Sequence, residues 1–368
     1  MAAVSPLPNR KSVPQVAGRS VALDAFRGLT VLLMLLVNNI ALDSATPTQL
    51  LHAAWGGGLH LADLVFPWFL LATGVSIPFA WASSQRRAQG YGTWFGKATL
   101  RSLTLFGLGL LLVSAVAHTP VFALGVLQLI ALAFWVGAVL YPIPALLRWG
   151  LAGGLLLGYW GAIRFIPVPG VGAGVFEEGQ NLLLHLNQNY LSPLGLRGIL
   201  SVIPTAALVL IASGVGNLLQ KPLAPVQKGT RLFFLGLGLS ALGYGWSLDL
   251  EFNKPYWTPA YILLGAGSGT LLLGVLTWLE QIFGKGLLFL LVVPGCNALL
   301  AYIAPILVKV WVLQDWKLGS LNLQNWLLLE AKSAWGPWIG GWVYSLGFVG
   351  FWWLVLAWFY YRRWFWRV

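Results

Sequence analysis

Cysteine and charge are what this chain mostly lacks. A single Cys296 in 368 residues excludes an intramolecular disulfide framework and any metal site built from several thiolates. Asp, Glu, Lys and Arg together make up 9% of the residues, against roughly a quarter in soluble domains, so this composition does not assemble a charged, water-facing surface. A Ser-centred nucleophile elbow, a phosphate-binding glycine loop and a dinucleotide fingerprint are all missing. Missing too is a repeat of fixed period, which leaves an inverted-repeat transporter without support. His52, His60 and Asp63 would make a three-ligand metal set, but no fourth ligand accompanies them and no metal is expected.

What is present is apolar sequence, 58% of the chain, in stretches of about 20 residues rather than the alternating runs of a transmembrane barrel. The chain therefore reads as an all-α polytopic membrane protein of about ten transmembrane helices. They are expected near 22–42, 59–82, 98–116, 121–141, 143–163, 198–219, 231–249, 258–280, 287–313 and 340–361. Residues 1–20 are polar and basic and show no cleavage site, which reads as a cytoplasmic tail before one membrane domain over 21–368. Fifteen Lys and Arg residues fall on the side of the two termini and six on the other, which predicts cytoplasmic termini. The same bias, with attraction to anionic membrane lipid, accounts for the net charge of +12 without a nucleic-acid partner. The 21 tryptophans read mostly as membrane-interface and packing residues, and 314–339 as an interfacial amphipathic segment.

Polar residues inside such spans are few and costly, so each needs a reason. Asp24 and Arg27, three apart on one helical face, read as an ion pair. Asn38 and Asn39 close the first span and are able either to cap it or to hold a substrate carbonyl. Asp63 and His60 lie in the second span, preceded by His52-Ala-Ala-Trp55-Gly-Gly-Gly58. Three glycines let the chain fold back, so either histidine is placed to meet the Asp63 carboxylate, the usual way to fix an imidazole tautomer and raise its basicity. Gln128 and Asn297 face apolar neighbours as interhelical glue or ligand groups, and Pro294-Gly295 is expected to unwind the ninth span. The stretch Gly236 to Gly243 reads as a helix-packing surface.

Several runs together carry a family resemblance. Leu23-Asp-Ala-Phe-Arg-Gly28, His52 to Trp55, Ala62-Asp-Leu-Val-Phe-Pro-Trp-Phe69, Gly125-Val-Leu-Gln128, Asn253-Lys254 with Trp257-Thr258, and Pro294-Gly295-Cys-Asn297 occur in this order. In these the chain resembles the heparan-α-glucosaminide N-acetyltransferase family from about residue 20 onward. The resemblance implies acetyl transfer from cytosolic acetyl-CoA to an amino sugar or glycan across the membrane. It favours His52 over His60 as the catalytic histidine, with Asp63 orienting it and Asn38 holding the acyl oxygen. His52 would serve as general base or as a transient acetyl carrier. Asn39, Trp55, His60, Gln128 and Asn297 are the further binding candidates, and Arg101, with Arg86 and Arg87, is the candidate for the coenzyme A phosphates. Without room for the extra luminal domain and first span of the animal enzymes, a compact bacterial member of the inner (plasma) membrane is expected, as a homodimer. Two departures stand out: one extra glycine between Trp55 and Asp63, and Phe122 and Leu129 where the family often has arginine. A proton-coupled transporter using His60 and Asp63, and a catalytically silent relative, are the competing classes.

The topology is checked by accessibility: tags at Ser5 and Arg367 should both be cytoplasmic, and Gln180 should be reachable only from outside. Labelling of residues 164–197 from the cytoplasmic face would overturn the ten-span arrangement.

Overall fold

The computed structural model describes residues 20–366. Twelve α-helices occur among the described residues: α1 Val21–Val37, α2 Leu61–Arg86, α3 Tyr91–Ala117, α4 Val126–Leu140, α5 Ala145–Phe165, the short α6 Leu182–Leu186, α7 Val202–Gln220, α8 Pro225–Ser247, α9 Pro259–Leu287, α10 Phe289–Gly295, α11 Ala298–Val308 and α12 Leu323–Tyr361. A two-stranded antiparallel ribbon, β1 Lys317–Leu318 and β2 Leu321–Asn322, precedes α12. A helix or a bent helix pair stands at each of the ten expected positions. Of these, α2, α3, α7, α9 and α12 are each long and apolar enough to cross a membrane. The pair α10 and α11 makes a sixth if counted as one span bent by 75°.

Helix ends follow local chemistry. Ser20 accepts the Leu23 amide at 3.3 Å and starts α1. That helix stops at Val37, earlier than its apolar run suggests, because Asn38 caps it and the chain turns into short 3-10 turns. At α4, Gly125 is the N-cap and Gln128 accepts its amide at 3.1 Å, so residues 121–125 stay extended. In α12 the backbone breaks at Gly336, φ 78°, separating the Trp-rich outer segment, with exposed Trp335, from the span proper.

Helices α2, α7 and α9 are mostly buried, whereas α3 and α12 are mostly exposed, so the first three form the centre and the others the outer ring. The core is packed around Phe26, Leu70, Leu71, Leu208 and Tyr261. Backbones approach closely where glycine allows it, as expected where helices associate by packing rather than by a hydrophobic drive. Gly236 and Gly243 of α8 lie against the α9 backbone, 2.6 Å from the Gly267 carbonyl and 2.9 Å from the Ala260 carbonyl as measured from an added Cβ. The bend after Gly295 is occupied rather than open: Gly295 sits on the Asp24 carbonyl of α1, and Gly28 on the Leu291 carbonyl of α10.

Because the obstructing atoms at this crossing are backbone, Gly28→Ala or Gly295→Ala should destabilise the fold by at least the ~1–3 kcal/mol typical of overpacking. A melting temperature unchanged in either purified variant would show that α1 and α10 separate freely.

Candidate active site

The site is built at the first turn of α2. Asp63 is the third residue of α2 rather than mid-span, and its side chain is almost fully buried. A carboxylate at a helix N-terminus is favoured by the exposed amides and the helix dipole. Its Oδ2 accepts the backbone amides of Ala53 and His60, both at 3.1 Å. Its Oδ1 meets His52 Nδ1 at 2.9 Å and Lys254 Nζ at 3.3 Å. The charge that looks expensive in the sequence is thus compensated on both oxygens.

His52 reaches Asp63 because the loop folds back through left-handed Gly56 and Gly58, at φ 71° and 77°. With the extra glycine present, the His52 ring still meets Asp63. The ring is 52% exposed, with Asp63 at Nδ1 and Lys254 Nζ within 3.3 Å of Nε2. His60 does not compete: only its backbone reaches Asp63, while its ring Nδ1 lies 3.0 Å from the Leu51 carbonyl and pins the loop. Gln49 holds the same loop by accepting the Leu61 amide at 3.0 Å.

Two participants carry no site role in the sequence reading. Tyr261, fully buried on α9, donates its hydroxyl to the Asp63 carbonyl at 2.6 Å. Lys254 Nζ stands 2.9 Å from His52 Nδ1 as well as beside Asp63. Its position is fixed by a closed turn: Asn253 Oδ1 accepts the Tyr256 amide, and Thr258 Oγ1 accepts the Asn253 amide and donates to the Glu251 carbonyl. Burial holds the Lys254 ammonium below the ordinary lysine range, and the Asp63 carboxylate pulls it part of the way back. Nδ1 is able to donate to the carboxylate or to accept from the ammonium, not both at once, so the proton on Lys254 and the tautomer of His52 are coupled. The signal for Lys254 was the lone cation in a polar outer turn directly before an apolar span.

His52, Lys254 and Asn38 line one cavity of about 210 Å³, walled by Phe66, Phe69 and Tyr302. A second cavity of about 350 Å³ abuts it and shares Phe69 and Ile130 with it. Arg27 and Arg101 line this second space. Arg27 is paired with Asp24 at 3.1 Å, as its spacing suggested. The Arg101 guanidinium lies 4.5 Å from the centre of the Phe134 ring, and its buried Nε has no hydrogen-bond partner among the described residues. Arg86 lines a different cavity, and Arg87 donates to Ser83 at 3.2 Å.

The other expected binding groups make contacts elsewhere. The Asn39 Nδ2 donates to the Leu35 carbonyl at 2.8 Å, while its buried Oδ1 has no partner among the described residues. Gln128 spends both ends on its own helix start, donating to the Ala123 carbonyl and accepting from Gly125. Asn297 clasps the C-terminal segment, donating to the Trp364 carbonyl and accepting the Trp366 amide, both at 2.9 Å. Trp55 packs on Phe176 and Tyr256, with ring centres 5.1 and 5.9 Å away, and does not line the His52 cavity.

The sequence model of the family described as heparan-alpha-glucosaminide N-acetyltransferase, catalytic, matches residues 19–222, more than half of the chain. The chain belongs to this family. It is 34% identical to the heparan-alpha-glucosaminide N-acetyltransferase of Mus musculus over 130 residues, 34% of this chain and 19% of that protein. To the Homo sapiens protein of the same name it is 30% identical over 187 residues, 43% of this chain and 28% of that one. These matches span less than a third of either relative. Asn38, His52, Asp63 and Arg101 lie inside the family match, whereas Lys254 and Tyr261 lie beyond it. Together, the apolar helices and the family make this an integral membrane protein.

Asp63→Asn removes the negative charge that raises the Lys254 affinity for protons, so Lys254 should react with an amine-reactive ester at lower pH than in the wild type. Peptide mass spectrometry across a pH series checks this; a shift to higher pH would contradict the contact.

Proposed function

We propose that this chain moves an acetyl group from cytosolic acetyl-CoA to the amine of an amino sugar or glycan on the opposite side of the membrane. The observation that carries the proposal is the pair of abutting cavities, one lined by two arginines and the other by His52, with Phe69 and Ile130 between them. The ten-span arrangement with cytoplasmic termini puts the arginine cavity on the inner side and His52 on the outer. Support comes from the lysine and arginine bias and from the helix at every expected position.

Within this scheme Arg101 and Arg27 hold the phosphate-bearing end of the donor, the Nε of Arg101 having no acceptor among the described residues. The pantetheine arm passes Phe69 and Ile130 and brings the thioester to Asn38, whose amide stabilises the carbonyl oxygen as negative charge develops there. The acceptor nitrogen attacks the carbonyl carbon, and His52 takes the nitrogen's proton. The C–S bond then breaks, and the proton passes from His52 to the leaving sulfur. Asp63, buried and anchored by two backbone amides, keeps the imidazole oriented throughout.

In vesicles carrying the protein, radiolabel from acetyl-CoA outside the arginine face should appear on glucosamine enclosed on the other side. His52→Ala should lower the rate about 100 to 10,000-fold, the usual contribution of a placed acid-base group, while acetyl-CoA binding persists. Arg101→Gln should raise KM for acetyl-CoA, and His60→Ala should stay close to wild type. Passage of an unchanged substrate without acylation would replace transfer by transport.

A further inference from the structure

A third cavity, of about 260 Å³, opens beside the first and shares Phe66 and Val126 with it. The rest of its wall includes Leu129, Leu132, Val202 and Trp257, and no lining residue is charged. It is formed by the outer ends of α4 and α7 together with α2, at the level where those helices meet the lipid under the proposed topology. Apolar residues next to its lining in sequence, Phe122 and Ile203, are exposed on the same outer end. The volume falls just short of the roughly 300 Å³ at which pockets enclose a whole drug-sized ligand, so it fits a chain segment rather than a complete substrate. Without a cation it offers nothing to the phosphates of the donor, which have the arginine cavity.

We infer that this cavity holds the hydrocarbon chain of the acceptor, so that the natural acceptor is a membrane-anchored amino sugar, a glycolipid whose head reaches His52 while its tail lies between α4 and α7. The inference rests on the acetyl-transfer reading and narrows its substrate class. Two observations support it: the wall shared with the His52 cavity and the uncharged lining. A guanidinium placed in that lining, at Leu129 for example, would put a desolvated charge against the tail. A soluble sugar would need no apolar slot continuous with the reacting groups.

The test compares methyl and dodecyl glucosaminide as acceptors for the full chain in nanodiscs of fixed lipid composition. The wild type should favour the dodecyl compound at least tenfold in kcat/KM. That ratio should fall toward one in Leu129→Arg, which places a charge in the slot, and in Leu132→Trp, which fills it. Partition of the amphiphile into the disc is the same for all variants, so a preference that survives both substitutions, or a wild-type ratio near one, overturns the inference. A glucosaminide with a diazirine on its alkyl chain, photolysed with the His52→Ala protein, reads the tail without turnover. Label on peptides 124–132 and 198–202, displaced by the dodecyl but not the methyl glycoside, supports the site even if neither compound is acetylated, in which case the transfer reading alone has failed. Label spread over the lipid-facing α3 and α12 means bulk lipid partition only and overturns the site.

Discussion

The Asp63 carboxylate is the point on which the outer half of the molecule depends. It accepts from Ala53, from His60, from His52 and from Lys254, so one side chain joins the first outer loop, the start of α2 and the turn before α9. A buried carboxylate without such partners would cost several kcal/mol or take up a proton. The backbone amides hold it in place whether or not the ring and the ammonium are engaged, which leaves the imidazole free to exchange protons with what occupies the cavity. The tyrosine hydroxyl on its carbonyl ties the same residue to the centre of the bundle.

Around that point the three cavities separate chemistry by polarity. The inner space holds the cations, the middle one the titratable groups, and the lateral one only apolar and neutral walls. The partitions are single layers of side chains: Phe69 with Ile130 on one side, Phe66 with Val126 on the other. Short partitions suit a transfer reaction, since two reactants that arrive from opposite media need to meet within bonding distance while each remains in its own solvent. The Asn297 amide, although far from the imidazole, closes the inner end by holding the backbone of Trp364 and Trp366, and Trp366 lines the arginine cavity.

Much of this was legible in the residues. Long apolar runs fix helices in a membrane because no other backbone arrangement satisfies its own hydrogen bonds there, and the glycines before α2 announced a loop that turns back on the helix. Those two facts put either histidine within reach of Asp63, and only the family resemblance singled out His52. The spacing of His60 and Asp63 misled, because a residue at the N-cap meets the third helical residue through its backbone rather than its side chain. Gln128 and Asn297 looked like ligand groups because a buried amide needs partners. What sequence cannot show is that helix ends and a C-terminal segment supply them. Lys254 stood out as a lone cation before an apolar span, but its partner did not: it comes to His52 from 202 positions away, and no local pattern encodes such a contact.

That distance has a consequence for how the protein is made. Chains enter the membrane from the N-terminus as they are synthesised, and contacts between distant segments form only once both have been inserted. Ala53 and His60 satisfy Asp63 from its own neighbourhood, so α2 is able to settle early with its acid already held. The ammonium of Lys254 and the hydroxyl of Tyr261 arrive after α7 and α8, and the crossing of Gly28 with Gly295 is completed later still. A nascent chain stalled before α9 therefore carries a paired His52 and Asp63 with no lysine between them and no floor beneath α1. The contacts of Lys254 and Tyr261 with Asp63 are thus completed only in the last third of synthesis.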